Sequence, residues 1–129
     1  MNKRISIKAG DIEVEGQLND SRIANMIWEA LPFNSFGKLW GHEIYFTVPV
    51  SCCLEDGQEV VPNGSLAYWP PGSAFCIFFG STPASQGNEI RPASPVTILG
   101  SVVGSTEILR NVPEGAEVVI EQVLSKDDG

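Results

Sequence analysis

Between Val60 and Thr106 only two of 47 residues carry a formal charge, Glu89 and Arg91. An arginine isolated in this way has two readings. It is an ordinary surface side chain, or it anchors a carboxylate or a polarised carbonyl through its fork of donors. Glu43 opens an alternating stretch in which Glu43, Tyr45 and Thr47 share one face and Ile44, Phe46 and Val48 the other. The polar face is solvent, or it lines a cleft in which Glu43 and Arg91 form an oriented pair beside Tyr45. Tyr68 and Trp69 are adjacent and point to opposite sides of a strand, as do Phe78 and Phe79. One of Tyr68 and Trp69 is core, and Trp69, before Pro70-Pro71, is the one placed to stack on a ligand or on proline rings. Thr82, Ser85 and Ser94 are hydroxyls in proline-flanked turns, where they cap local backbone or offer hydrogen bonds to a ligand. The candidate ligand-binding set is therefore Glu43, Tyr45, Trp69, Phe79, Thr82, Ser85, Arg91 and Ser94. His42, in the Gly41-His42 turn, has no serine or cysteine placed beside it by the sequence and reads as a solvated loop residue.

These residues need strands to hold them. Ile5-Ser6-Ile7 and Ile12-Glu13-Val14-Glu15 alternate around Ala9-Gly10-Asp11, a hairpin pattern. Ile44–Val48, Leu66–Trp69, Ala74–Phe79, Val96–Val103 and Ala116–Leu124 read as further strands, with another near Gly37–Trp40. Pro70-Pro71-Gly72-Ser73 is a tight turn between two of them. One helix is legible between Asp20 and Leu31, where Ile23, Met26, Ile27, Ala30 and Leu31 make an apolar stripe at the helical period. Asn19 or Asp20 caps its start, and Pro32 stops it. A short helical turn over about 105–111 is expected, with Ser105 as cap and Ile108, Leu109 and Val112 inward. A mainly β chain with about eight strands and one good helix predicts a closed eight-stranded barrel, capped by helices.

Length and charge narrow the function classes. The 129 residues suffice for one domain, 1–129, with a core of its own. Sixteen acidic residues against eight basic give a net charge of -8, which disfavours nucleic acid and anionic membrane surfaces. The uncharged run from Val60 to Asn88 is broken by Pro62, Gly64, Pro70, Pro71 and Gly72, so it is no membrane helix. Met1-Asn2-Lys3-Arg4 is followed by alternation and not by the apolar core of a secretory signal. Cys52, Cys53 and Cys76 are odd in number, two of them adjacent, and form neither a disulfide framework nor a zinc site. A reduced cytoplasmic protein with structural thiols is expected, with no metal and no cofactor.

Two stretches are similar to the cyclophilin fold. Gly10–Val14 through Leu18-Asn19-Asp20 and the helix to Leu31 resembles its opening strand, turn and covering helix. Ile98-Leu99-Gly100-Ser101-Val102-Val103-Gly104, then Glu107-Ile108-Leu109-Arg110, resembles its strand, Phe-Gly-x-Val segment and closing helix. Over the full chain the sequence resembles a group of small bacterial and archaeal cyclophilin-like proteins. The blocks that carry this are Trp40–Phe46, Ala67-Tyr68-Trp69-Pro70-Pro71-Gly72, Ile77–Ser85 and Arg91–Val96. The resemblance implies an eight-stranded cyclophilin-like barrel and no settled activity. Prolyl isomerases of the family carry an arginine in a Phe-x-Arg strand and a downstream Gln-Gly-Gly. The matching strand here, Leu39 to Val48, has neither, and Pro95-Val96-Thr97-Ile98 stands where the family places a histidine. Phe78 or Phe79 matches the proline-binding phenylalanine.

The leading expectation is thus a cyclophilin-fold protein binding a peptide or small molecule in an aromatic and hydroxyl-lined groove. A weak or divergent peptidyl-prolyl isomerase is the enzymatic alternative, with Arg91 as its catalytic cation. A third reading is an interaction subunit of an amide- or urea-metabolising complex, with a protein partner.

Overall fold

The computed structural model describes residues 3–124, so Met1 and Asn2 of the Met1–Arg4 stretch lie outside the described residues. Lys3–Ala9 (β1) and Ile12–Leu18 (β2) form the expected antiparallel hairpin, in register from Lys3↔Leu18 to Ala9↔Ile12. Gly10 turns it with φ +60, a conformation glycine adopts without penalty. Arg22–Ala30 (α1) is two residues shorter at its start than expected. Its cap is Ser21, whose Oγ accepts from the Ala24 N–H. Asn19 accepts from the Ser21 N–H instead, and Asp20 is drawn away by the Lys3 ammonium at 2.7 Å. Ile23, Ala24 and Ile27 are buried against the barrel.

The remaining strands are Phe33–Phe36 (β3), Lys38–Leu39 (β4), Glu43–Thr47 (β5), Ser65–Trp69 (β6), Ala74–Phe78 (β7), Thr97–Val103 (β8) and Glu117–Gln122 (β9). Their order is β3-β9-β1-β2-β8-β6-β7-β5-β4, antiparallel at every pairing. Nine segments and eight expected strands are reconciled at Gly37. β3 and β4 are one strand bent there: its first half pairs with β9, its second with β5, and the sheet closes through it. A side chain at Gly37 would press on Ile44 and Val118 at 3.3 Å, so the bend points into the barrel.

Inside lie Ile5, Ile7, Ile44, Phe46, Leu66, Tyr68, Phe75, Ile77, Leu99, Val118 and Ile120, with Ile23 and Ile27 of α1. Phe46 and Phe75 stack at 5.3 Å. The expected second helix is a 3-10 turn, Glu107–Asn111, with Ser105 Oγ accepting from the Glu107 N–H. Leu109 and Val112 point inward, but Ile108 is exposed. A repeat of three residues per turn aligns 109 with 112 and throws 108 outward.

β7 is buried on both faces, as is β6 up to half-buried Trp69, and β5 is covered at its Glu43 end. Outside them, Val61, Ala67, Ala74, Cys76, Phe78, Ile90 and Val96 form a second core. The small side chains of Ala67, Ala74 and Cys76 let the segments around 58–61 and 90–96 lie flat on the sheet. Those segments clip to each other through Gln58↔Val96 and a Val61 N–H to Ile90 C=O bond of 3.0 Å. Covering both faces explains why Ala74–Phe78 is apolar throughout and does not alternate.

Candidate functional site

Where that outer layer stops, a pocket of about 200 Å³ opens, lined by Trp40, Glu43, Tyr45, Trp69, Pro92, Ala93 and Val96. The register explains the convergence. Trp40 and Glu43 close a turn through two backbone hydrogen bonds, Trp40 N–H to Glu43 C=O (2.9 Å) and Glu43 N–H to Trp40 C=O (3.2 Å), so both side chains leave one face. Glu43 pairs with Phe78 and Tyr45 with Cys76, while Ala67 pairs with Cys76 and Trp69 with Ala74. These residues therefore share the outer surface of three adjacent strands. Trp69 is fixed from two sides: its Nε1–H donates to Ser94 Oγ at 2.7 Å, and the bare backbone of Gly72 lies against its six-membered ring. A second depression of about 210 Å³, lined by Phe36, Lys38 and Thr47 among others, shares Tyr45 and Trp69 with the first. The two form a groove across the outer face.

Glu43 is the unusual member. It is only 6% exposed and makes no ion pair among the described residues. Burial pushes its carboxyl up to about 7, against a smaller opposite effect of a hydrogen bond from Cys76. Burial and the facing carboxylate push the Cys76 thiol well above its ordinary range. Cys76 is thus a neutral thiol facing the carboxyl. Near neutral pH, Glu43 is divided between its acid and its carboxylate forms.

The fold brings together Glu43, Tyr45, Trp69 and Ser94 from the sequence-predicted set. It separates the other four. Phe79 is buried among the barrel residues, with the His42 ring 5.4 Å away. His42 itself is half-buried, its Nε2 3.4 Å from Arg110 Nη1, and does not sit free in solvent. Thr82 and Ser85 fasten their own loop. Thr82 Oγ1–H donates to the Arg91 C=O, and Ser85 Oγ accepts from the Thr82 and Arg91 N–H groups at 2.9 and 3.1 Å. The Arg91 guanidinium is committed to Glu89 at 2.7 Å and Glu59 at 3.6 Å, so the oriented pair with Glu43 does not form. The solvent reading of the Glu43–Tyr45–Thr47 face fails at Glu43 and holds at exposed Thr47. Trp40, Pro92, Ala93, Val96 and Cys76 were not in the predicted set. A signal for Trp40 exists: residues i and i+3 of a two-residue turn face the same way. Among the described residues no group of three His, Cys, Asp or Glu is placed to hold a metal ion. No helix among them is long and apolar enough to cross a membrane.

A family model described as Cyclophilin-like matches residues 3–121. The chain belongs to the cyclophilin-like family. This cyclophilin-like protein is also similar to the solution structure of the hypothetical protein AF2241 from Archaeoglobus fulgidus, with 40% identity, a TM-score of 0.82 and 95% of each chain covered. No curated protein matches it in sequence.

Proposed function

We propose that this cyclophilin-like protein is a binding protein, taking a small molecule or a short peptide into the outer-face groove. The observation that carries the reading is Glu43: a carboxyl withdrawn from water, without a cation, in the wall of an aromatic pocket. Leaving such a group ionised costs free energy that ordinary packing would avoid. A ligand that contacts it supplies the missing partner. The volume of about 200 Å³ is below the range of about 300–1,000 Å³ usual for drug-sized ligands, so each half of the groove suits one small group or one side chain. The isomerase alternative loses its cation, since Arg91 is held by two carboxylates outside the pocket.

A thermal-shift screen with small metabolite-like compounds and short peptides tests the proposal. Ligands are expected to raise Tm and to move the indole NMR signals of Trp40 and Trp69, and Trp69→Leu is expected to abolish both effects. A screen with no saturable ligand, or ligands that leave both indoles unmoved, overturns it.

A further inference from the structure

The wall of the Glu43 pocket restricts what it can hold. Three aromatic side chains, Trp40, Tyr45 and Trp69, line it with a single carboxyl, and the Trp69 N–H is already spent on Ser94. An anion would meet a carboxylate and the negative faces of rings. A neutral apolar group would bury Glu43 further and give it no partner. A primary ammonium is a compact, strongly hydrated charge, and a wall of three aromatic rings with one carboxyl and the Tyr45 hydroxyl replaces little of that water. A methylated ammonium needs few or none, sheds its water readily, and is attracted both by aromatic faces and by a carboxylate. We propose that the pocket binds a methylated ammonium group, with Trp40, Tyr45 and Trp69 as its wall and Glu43 as its counter-ion. The inference rests on the outer-face binding reading and narrows it to one ligand chemistry. The net charge of -8 helps, since it enriches small cations around the protein.

Occupancy then depends on pH. The groups that face Glu43 are Tyr45 on its own strand, Cys76 and Phe78 on β7, Trp40 in the adjoining turn, and uncharged Pro92, Ala93 and Val96 from the covering segment. Lys38 stands opposite Tyr45 on β4, exposed, and is the one cation in the row. Arg91, next to Pro92, is neutralised by Glu89 and Glu59. The binding-competent form is the one with Glu43 ionised, and it becomes dominant as pH rises past about 7. Apparent affinity scales with the fraction of that form, which grows about tenfold between about pH 6 and pH 8 for a group titrating midway.

The test uses the full chain with choline and its uncharged isostere 3,3-dimethylbutan-1-ol, followed by calorimetry and by the indole NMR signals. Choline is expected to saturate, to move Trp40 and Trp69, and to bind about tenfold more tightly at the higher pH. The isostere is expected to bind at least about tenfold more weakly there, and no more tightly at the higher pH than at the lower. Glu43→Gln keeps the shape of the protonated side chain, and is expected to reduce choline to the level of the isostere and flatten its pH profile. Trp40→Leu, a change on a half-buried turn, is expected to weaken choline more than the isostere. A short peptide carrying one trimethyllysine, run beside choline, tells a side-chain cation from a free one, and saturation by either supports the class. If the isostere binds as tightly as choline, the pocket stands and the cation inference falls. If neither saturates below about 10 mM while screened ligands move the same indoles, the cation inference alone falls. If no ligand moves them, both readings fall.

Discussion

Each face of the β5–β7–β6 sheet buries a polar side chain, and the two treat it in opposite ways. On the inner face Tyr68 is fully buried among Phe46, Phe75 and Ile77. Its hydroxyl donates to the Val50 C=O at 2.8 Å and accepts from the Cys52 N–H at 3.1 Å. Two loop groups and one side chain satisfy each other, and the polar atom costs little. On the outer face Glu43 has a thiol for company and no cation. The first arrangement serves the fold by tying residues 50–52 to the barrel. The second works against the fold whenever the carboxyl ionises. A buried group that weakens the fold around it is the observation on which the proposed binding function rests.

Four changes break or sharpen this contrast. Phe75→Ala removes an inner-face ring stacked on Phe46 and is expected to cost about 3–5 kcal/mol in denaturant unfolding, as large cavities do. Glu43→Gln runs the other way. The folded protein holds the Glu43 proton more tightly than the unfolded chain does, at about 7 against the ordinary glutamate value of 4.5. The stability this group contributes is therefore full below the unfolded value and is lost as pH rises through the folded one. Glu43→Gln should match wild type in acid and exceed it at about pH 8 by on the order of 3 kcal/mol, read as a Tm difference that opens with pH. Tyr68→Phe leaves the Cys52 N–H and the Val50 C=O without their partner, and a loss of about 1–2 kcal/mol is expected by the same measurement. Ser94→Ala frees the Trp69 N–H at a cost of about 1 kcal/mol or less, and its signature is a moved Trp69 indole resonance more than a lower Tm.

Much of the fold was legible because its periods are clean. The β1–β2 hairpin alternates without fault, and α1 carries a stripe at the helical repeat. The helix start was misplaced because three capping residue types stand in a row, and only tertiary contacts with Lys3 decide among Asn19, Asp20 and Ser21. The site divides along the same line. Strand alternation fixes the face a side chain takes, and it is enough to put Glu43 and Tyr45 on one face and Trp69 opposite Tyr68. Arg91 was singled out for isolation along the chain, but isolation along the chain is not isolation in space. Glu89 is two residues away, and Glu59 stands just before the uncharged block and folds back onto it. The meeting of Cys76 with Glu43 depends on the register between β5 and β7, and no local pattern in either strand specifies that.

The bend at Gly37 has one more consequence. A barrel made of a single sheet behaves like a hoop with a clasp, and here the clasp is short: β4 meets β5 through Lys38↔Tyr45 and Leu39↔Ile44 alone. Tyr45 belongs to both the clasp and the pocket, and Trp40 and Glu43 form the turn that joins its two halves. Whatever fills the pocket leans on the fastening of the whole ring.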